Sequence, residues 1–315
     1  MDAAEGLVRC INPITETGEL EMKWSYNSSI GNRANGFKEP NDWGCIYPPA
    51  KGTRQSPINV DTSMASRPAA LKDNPLKINV SRNHTDVQRI MRIPHNFAVK
   101  VEGNGTLEGG PLKKNEIYRL DHFMFKIEEN GGSEHTINNK SYPAELQMYF
   151  YNTKYNTIDR ASDFEDGVAC VIIMYELNHF PQNDAIYKML QAYYSLNNST
   201  SNALVSRPID IPSLYPADTT TYYTYRGSLT APPCTECVTY IILKDRKTMQ
   251  ATQLDKLLQV HRERGCCRDG GNCRPLQATN GRCICYGSKC ACASKKSYPP
   301  YRFTFLKRNS LLTFI

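Results

Sequence analysis

The sequence predicts a mainly β fold (α+β in class) with a few small helices, and three observations carry that reading. Two alternating segments within Tyr118–Asn152 flank a turn-rich link containing Asn130-Gly131-Gly132 and Asn138-Asn139, the pattern of two antiparallel strands. Gly167–Leu177, GVACVIIMYEL, is a continuous apolar run of the kind found in strands buried on both faces. Helical spacing is confined to short stretches. Ile186, Met189, Leu190 and Tyr193 recur at helical intervals in Asn183–Leu196, as do Leu254, Leu257, Leu258 and His261 in Ala251–Arg262. A length of 315 residues admits one large core or two moderate ones.

In chain order, residues 1–23 form a polar, turn-rich surface segment. Trp24 and Tyr26 are anchoring aromatics. Pro57 presets a turn into a short strand, where Gln55 and Asn59 can satisfy buried backbone groups. Residues 76–108 alternate between strand-like runs and turns. On the central strand pair, residues two apart share a face, so His122 and Met124 point one way and Glu145, Gln147 and Tyr149 share a face of the second strand. The tail 294–315 is basic and aromatic, with Pro299-Pro300.

The charge balance is 38 basic against 31 acidic residues, without a long Lys/Arg run, which argues against a nucleic-acid partner. No apolar stretch reaches the ~18 residues a membrane span needs, and the first residues carry no apolar signal core. Twelve cysteines are many for a reduced cytosolic protein of this size. Asn-x-Ser/Thr sites occur at Asn27, Asn79, Asn83, Asn104, Asn139, Asn197 and Asn198. Both features point to an extracellular, secreted protein, with a cytoplasmic location as the alternative. The cysteine-rich segment 266–292 holds Cys266, Cys267, Cys273, Cys283, Cys285, Cys290 and Cys292. Its C-x-C-x4-C-x-C run suits either a knot of disulfides or a soft metal.

Several motifs resemble those of the alpha-class carbonic anhydrases: Trp24-Ser25-Tyr26, Gln55-Ser56-Pro57-Ile58-Asn59, the His-x-Phe-x-Val strand at His95–Val99, the central stretch, the run Gly227-Ser228-Leu229-Thr230 with Pro232-Pro233-Cys234 and Glu236, and Arg274-Pro275-Leu276-Gln277. The resemblance covers about Trp24–Tyr286. It implies a single domain over 24–293 built on a large, twisted, mostly antiparallel sheet with small peripheral helices. It also implies a disulfide between Cys45 and Cys234.

What the resemblance implies for the site is a loss. The family's three zinc-binding histidines fall on His122, Met124 and Gln147, so only His122 is kept. A thioether and a neutral amide are poor zinc ligands. Leu120 stands where active members place a glutamine that orients the first histidine, and Tyr149 where they keep a small valine in the substrate pocket. The family's threonine–glutamate pair falls on Thr230 and Glu134, expected here as a buried hydrogen-bonded pair. His95 falls on the proton-shuttle position, but without metal-bound water it is expected as a surface histidine. These substitutions are most similar to the catalytically silent carbonic anhydrase-related proteins and to the carbonic anhydrase-like ectodomains of receptor tyrosine phosphatases. The expected function is a binding or matrix module with an extracellular protein or matrix partner and no cofactor. The alternatives are a weakly active carbonate dehydratase with an altered zinc site, and a soft-metal-binding protein acting through the cysteine-rich segment.

Overall fold

The computed structural model describes residues 24–26, 38–65, 74–80, 86–93, 95–196, 202–263 and 271–287. Its strands are β1 (Asn59–Val60), β2 (Lys77–Asn79), β3 (Val87–Ile93), β4 (Asn96–Glu102), β5 (Thr106–Glu108), β6 (Tyr118–Lys126) and β7 (Thr136–Ile137). They continue with β8 (Ala144–Asn152), β9 (Val168–Asn178), β10 (Asn202–Leu204), β11 (Tyr222–Gly227), β12 (Val238–Leu243), β13 (Lys247–Gln250) and β14 (Cys285–Tyr286). Helices are few: α1 (Trp43–Ile46), α2 (Ile158–Ala161), α3 (Asp184–Tyr194) and α4 (Ala251–Glu263).

One 12-stranded sheet dominates, in the order β10-β3-β4-β6-β8-β9-β12-β11-β14, with β5 beside β6, β2 beside β5 and β13 beside β9. Pairing is mostly antiparallel, as expected. β9 takes β12 and β13 as parallel neighbours, and β1 pairs with β7 in a small parallel sheet of its own.

The apolar run of β9 is explained by its place between β8 and β12, with a core on each face. Ala169, Val171, Ile173 and Tyr175 enter the first core, while Val168, Cys170, Ile172 and Met174 enter the second. Over Val168–Tyr175 neither face of this strand meets water, so alternation has nothing to mark there. α3 and α4 close the first core with Ile186, Met189, Leu190 and Tyr193 and with Leu257, Leu258 and Val260. Each such side chain contributes roughly 1.5–3 kcal/mol of apolar burial. Asn183 caps α3, its Oδ1 accepting from the Ile186 amide at 3.2 Å.

β6 and β8 divide their side chains between the same two faces. Phe123, Phe125, Leu146, Met148 and Phe150 enter the first core, which leaves His122, Met124, Glu145, Gln147 and Tyr149 on the opposite face. The β6–β8 register shifts between Leu120 and His122, a bulge that inserts Asp121 and turns Leu120 into the first core.

The disulfide expected between Cys45 and Cys234 does not form. Cys45 is disulfide-bonded, and Cys234 is a free, fully buried thiol. A sulfur already bonded has no valence for a second partner, so the two cannot be joined. Cys283 and Cys285 are also disulfide-bonded, which removes two of the thiolates that a soft metal would need. Cys273, in the same segment, is a buried free thiol. Asn79, Asn104 and Asn139 are exposed. The segments 1–23 and 294–315, together with Asn27, Asn83, Asn197, Asn198, Cys266, Cys267, Cys290 and Cys292, lie outside the described residues. Among the described residues no helix is long and apolar enough to cross a membrane.

Candidate functional site

The site is the face of β6 and β8 that meets the second core. Cross-strand register sets His122 opposite Tyr149 and Met124 opposite Gln147, so four side chains converge on one patch. All four are buried.

Gln147 is the hub. Its Nε2 donates to Glu134 Oε2 at 2.9 Å and to Glu145 Oε1 at 2.7 Å, and its Oε1 accepts from the Tyr149 hydroxyl at 2.7 Å. Tyr149 lies 4.8 Å from His122, ring centroid to centroid, with planes 15° apart. Burial pushes the Tyr149 phenol well above its ordinary pKa, so it stays a donor. Met124 Sδ accepts from Asn96 Nδ2 at 3.2 Å. The amide and the thioether are therefore both committed to partners within the protein.

His122 is oriented after all, by a route that alternation does not reveal. Leu120 cannot reach it, because the bulge sends Leu120 to the other core. The bulged residue takes over: Asp121 Oδ2 sits 2.6 Å from His122 Nδ1, and Asp121 Oδ1 accepts from Lys100 Nζ at 2.5 Å. Burial pushes the Asp121 carboxyl up, but the bonds and charges of His122 and Lys100 outweigh it and hold it below the usual carboxylate range.

Behind Gln147 lies a charged layer. Lys126 continues the His122 and Met124 face of β6, and its Nζ donates to Tyr26 Oη at 2.8 Å, to the Asn272 carbonyl at 3.0 Å and to Glu134 Oε1 at 3.1 Å. Burial alone would lower its pKa. The charge of Glu134 and the Tyr26 contact outweigh it and hold the pKa above the ordinary lysine value. Glu134 Oε1 also accepts from the Arg274 amide at 2.9 Å. Glu145 receives the His135 amide at 2.7 Å and faces His135 Nδ1 at 2.9 Å. Burial pushes Glu145 up, but His135 and the bond from Gln147 bring it below the usual carboxylate range. His135 Nε2 lies 2.6 Å from Tyr225 Oη, which donates to Ser56 Oγ at 2.9 Å.

Two expectations change here. Thr230 and Glu134 are both buried, but the described hydrogen bonds of Glu134 go to Lys126, Gln147 and Arg274, and none goes to Thr230. Those donors have claimed the carboxylate. His95 is not a surface residue: it is 7% exposed, its Nε2 lies 2.7 Å from the Trp24 carbonyl, and its ring packs 4.5 Å from Trp24. The Trp24 and Tyr26 rings pack on it and in turn pack against Trp43, which is what the Trp-x-Tyr motif anchors. Gln55 behaves as expected, donating to the carbonyls of Pro49 and Cys234 at 2.9 and 3.2 Å, and Asn59 Oδ1 accepts from the Asn139 amide at 2.8 Å.

The family model for the eukaryotic-type carbonic anhydrases matches residues 38–288. The chain belongs to that family. Among its relatives, carbonic anhydrase 1 of Monodelphis domestica is 31% identical over 239 residues, covering 75% of this chain and 85% of the relative. Carbonic anhydrase 1 of Mus musculus is 33% identical over 240 residues, covering 74% and 85%.

The family's zinc does not fit His122, Met124 and Gln147, the residues that the resemblance sets at its three ligand positions. They offer one imidazole, one thioether and one amide; the amide's two protons are spent on carboxylates, and its oxygen, a weak neutral donor, already accepts from Tyr149. Among the described residues, Glu134, His135 and Glu145 bring potential ligand atoms within 4.8 Å of one another. Their donors and acceptors are spent on Lys126, Gln147, Tyr225 and each other, so the cluster is a satisfied hydrogen-bond network. Sequence reasoning passed over Lys126, Asp121 and His135. Lys126 had a signal, since it lies two residues beyond Met124 on the same strand face.

Proposed function

We propose that this chain is a carbonic anhydrase-related protein without carbonate dehydratase activity, working outside the cell as a binding or matrix module with an extracellular protein or matrix partner. The observation that carries the reading is the Gln147 clamp. Gln147 gives both amide protons to Glu134 and Glu145, and its oxygen already accepts from the Tyr149 hydroxyl, so the position offers a metal only the remaining lone pair of a neutral carbonyl oxygen. Tyr149 supports it by filling the space beside His122. The disulfide-bonded state of Cys45, Cys283 and Cys285 supports an oxidising compartment, as do the exposed sequon residues Asn79, Asn104 and Asn139. A second reading, a weakly active carbonate dehydratase with an altered zinc site, draws support from one observation: Asp121 holds His122 in the orientation a ligand would need.

The test is zinc content and carbon dioxide hydration. Protein purified without added zinc should carry far less than one zinc per chain, and excess zinc should give no hydration above the buffer blank. Zinc-dependent hydration by the parent protein would refute the silent reading and favour the second. Met124→His combined with Gln147→His should create zinc binding, since both positions already share the strand face of His122 or Glu145.

A further inference from the structure

Two carboxylates in this site, Glu134 and Glu145, are shut away from water, with 0% of either side chain exposed. Buried anions are tolerated only when a positive charge or several donors compensate them. The ligand positions do not fit a metal, so the compensation must come from the chain itself. Glu145 has the His135 amide, the His135 ring and Gln147. Glu134 has Lys126.

The Lys126 ammonium is 97% buried, and three acceptors saturate its three protons: Tyr26 Oη, the Asn272 carbonyl and Glu134 Oε1. Tyr26 also presents its ring 4.6 Å from Nζ. Asn272 is itself locked, its Oδ1 accepting from the Ile127 amide at 2.9 Å and its Nδ2 donating to the Phe125 carbonyl at 2.9 Å. The pocket that holds the ammonium is therefore built by β6, the N-terminal aromatic segment and the run at 271–274. It is specific to a fixed cation.

Resting on the silent reading above, we infer that Lys126 is the resident cation of this site. By taking Glu134 away from Thr230 and placing a positive charge behind Gln147, it excludes a divalent metal independently of the missing imidazoles. Lys126 is a positioning residue acting through Glu134. The inference separates two locks on one site: ligand chemistry at Met124 and Gln147, and electrostatics at Lys126.

The experiment measures zinc affinity, by competition with a chromophoric chelator, in the Met124→His/Gln147→His background. Three forms are compared: Lys126 retained, Lys126→Arg and Lys126→Met. Removing the like charge should tighten zinc binding at least about tenfold in the Met form, while the Arg form stays within about twofold of the retained lysine. Equal affinity in all three forms overturns the inference, and so does the absence of zinc binding in both the retained and Met forms. Either result leaves the silent reading standing, because that reading falls only on zinc-dependent hydration by the parent.

A second measurement covers poor folding of the Met form. In the parent background Lys126→Met should lower the melting temperature by about 10 °C, by stranding a buried carboxylate. Adding Glu134→Gln should return more than half of that loss. If the two substitutions are simply additive, Lys126 is not compensating Glu134 and the inference fails.

Discussion

Gln147→Leu is the sharpest probe of the site, because the side chain is fully buried and each of its polar atoms is used. Leucine fills a similar volume but offers neither donor nor acceptor. The two bonds to carboxylates contribute roughly 1.5–3 kcal/mol each, and the bond from Tyr149 roughly 1 kcal/mol. Their simple sum overshoots. Glu134 keeps Lys126 and the Arg274 amide, Glu145 keeps His135, and leucine regains some apolar burial. The expected net loss is therefore about 3–5 kcal/mol, a large share of the ~5–15 kcal/mol that holds a typical domain together. Urea unfolding followed by tryptophan fluorescence measures it: the midpoint should fall while the slope stays constant. A loss under about 1 kcal/mol would refute the reasoning, since it would mean the hub bonds do not hold the layer together.

The same geometry yields two further outcomes. Burial pushes the Cys234 and Cys237 thiols up to about 12 and those of Cys170 and Cys273 well above the ordinary range. In the native protein at pH 8 these four should resist a thiol-specific alkylating reagent, and denaturant should open all of them; recovery of a Cys45–Cys234 linked peptide without reduction would contradict the arrangement. Asp121→Asn tests the dyad through pH. The folded pKa of Asp121 lies below its unfolded value of ~3.9, so its contribution is fully present above that value and is lost as pH falls through the folded one. The stability gap between parent and variant in urea should be about 1–2 kcal/mol at pH 7 and should narrow progressively below pH ~4. A gap that stays constant into acid would show that the carboxylate charge is not what holds His122.

Much of this fold is legible in the sequence because one face of an element declares itself. β6 and β8 alternate between the first core and the site, and α3 and α4 show apolar stripes because their other faces meet solvent. Even β9, with no alternation, is readable, because a continuous run of branched apolar residues fits a strand with a core on both sides. Composition and period fail where the period breaks. The bulge at Asp121 changes which residue stands beside His122, and no counting of residues two apart can detect an inserted residue. Cysteine pairing fails for a related reason. It depends on where two loops meet, so the neighbours of Cys234 in sequence could not show that it stays a free thiol.

Lys126 shows the other limit. Alternation assigns it to the His122 and Met124 face, yet a lysine near the end of a strand is ordinarily solvated, and only the fold reveals that residues 26, 134 and 272 close around it. The residues that resemblance marks as lost and the residues that replace their electrostatics are therefore different sets, legible by different means. Met124 and Gln147 are conspicuous because a motif predicts something else there. Lys126 and Asp121 are silent in the sequence because no simple pattern demands them, and each acquires its role through a contact with a distant or bulged neighbour. Without a metal beside it, a buried carboxylate pair needs compensation from the chain, since its desolvation would otherwise destabilise the fold by several kcal/mol. Glu145 finds that compensation in His135 and Gln147, and Glu134 in Lys126. The chain holds an ammonium against one of the two carboxylates, which makes the charge balance of the site a property of folding alone.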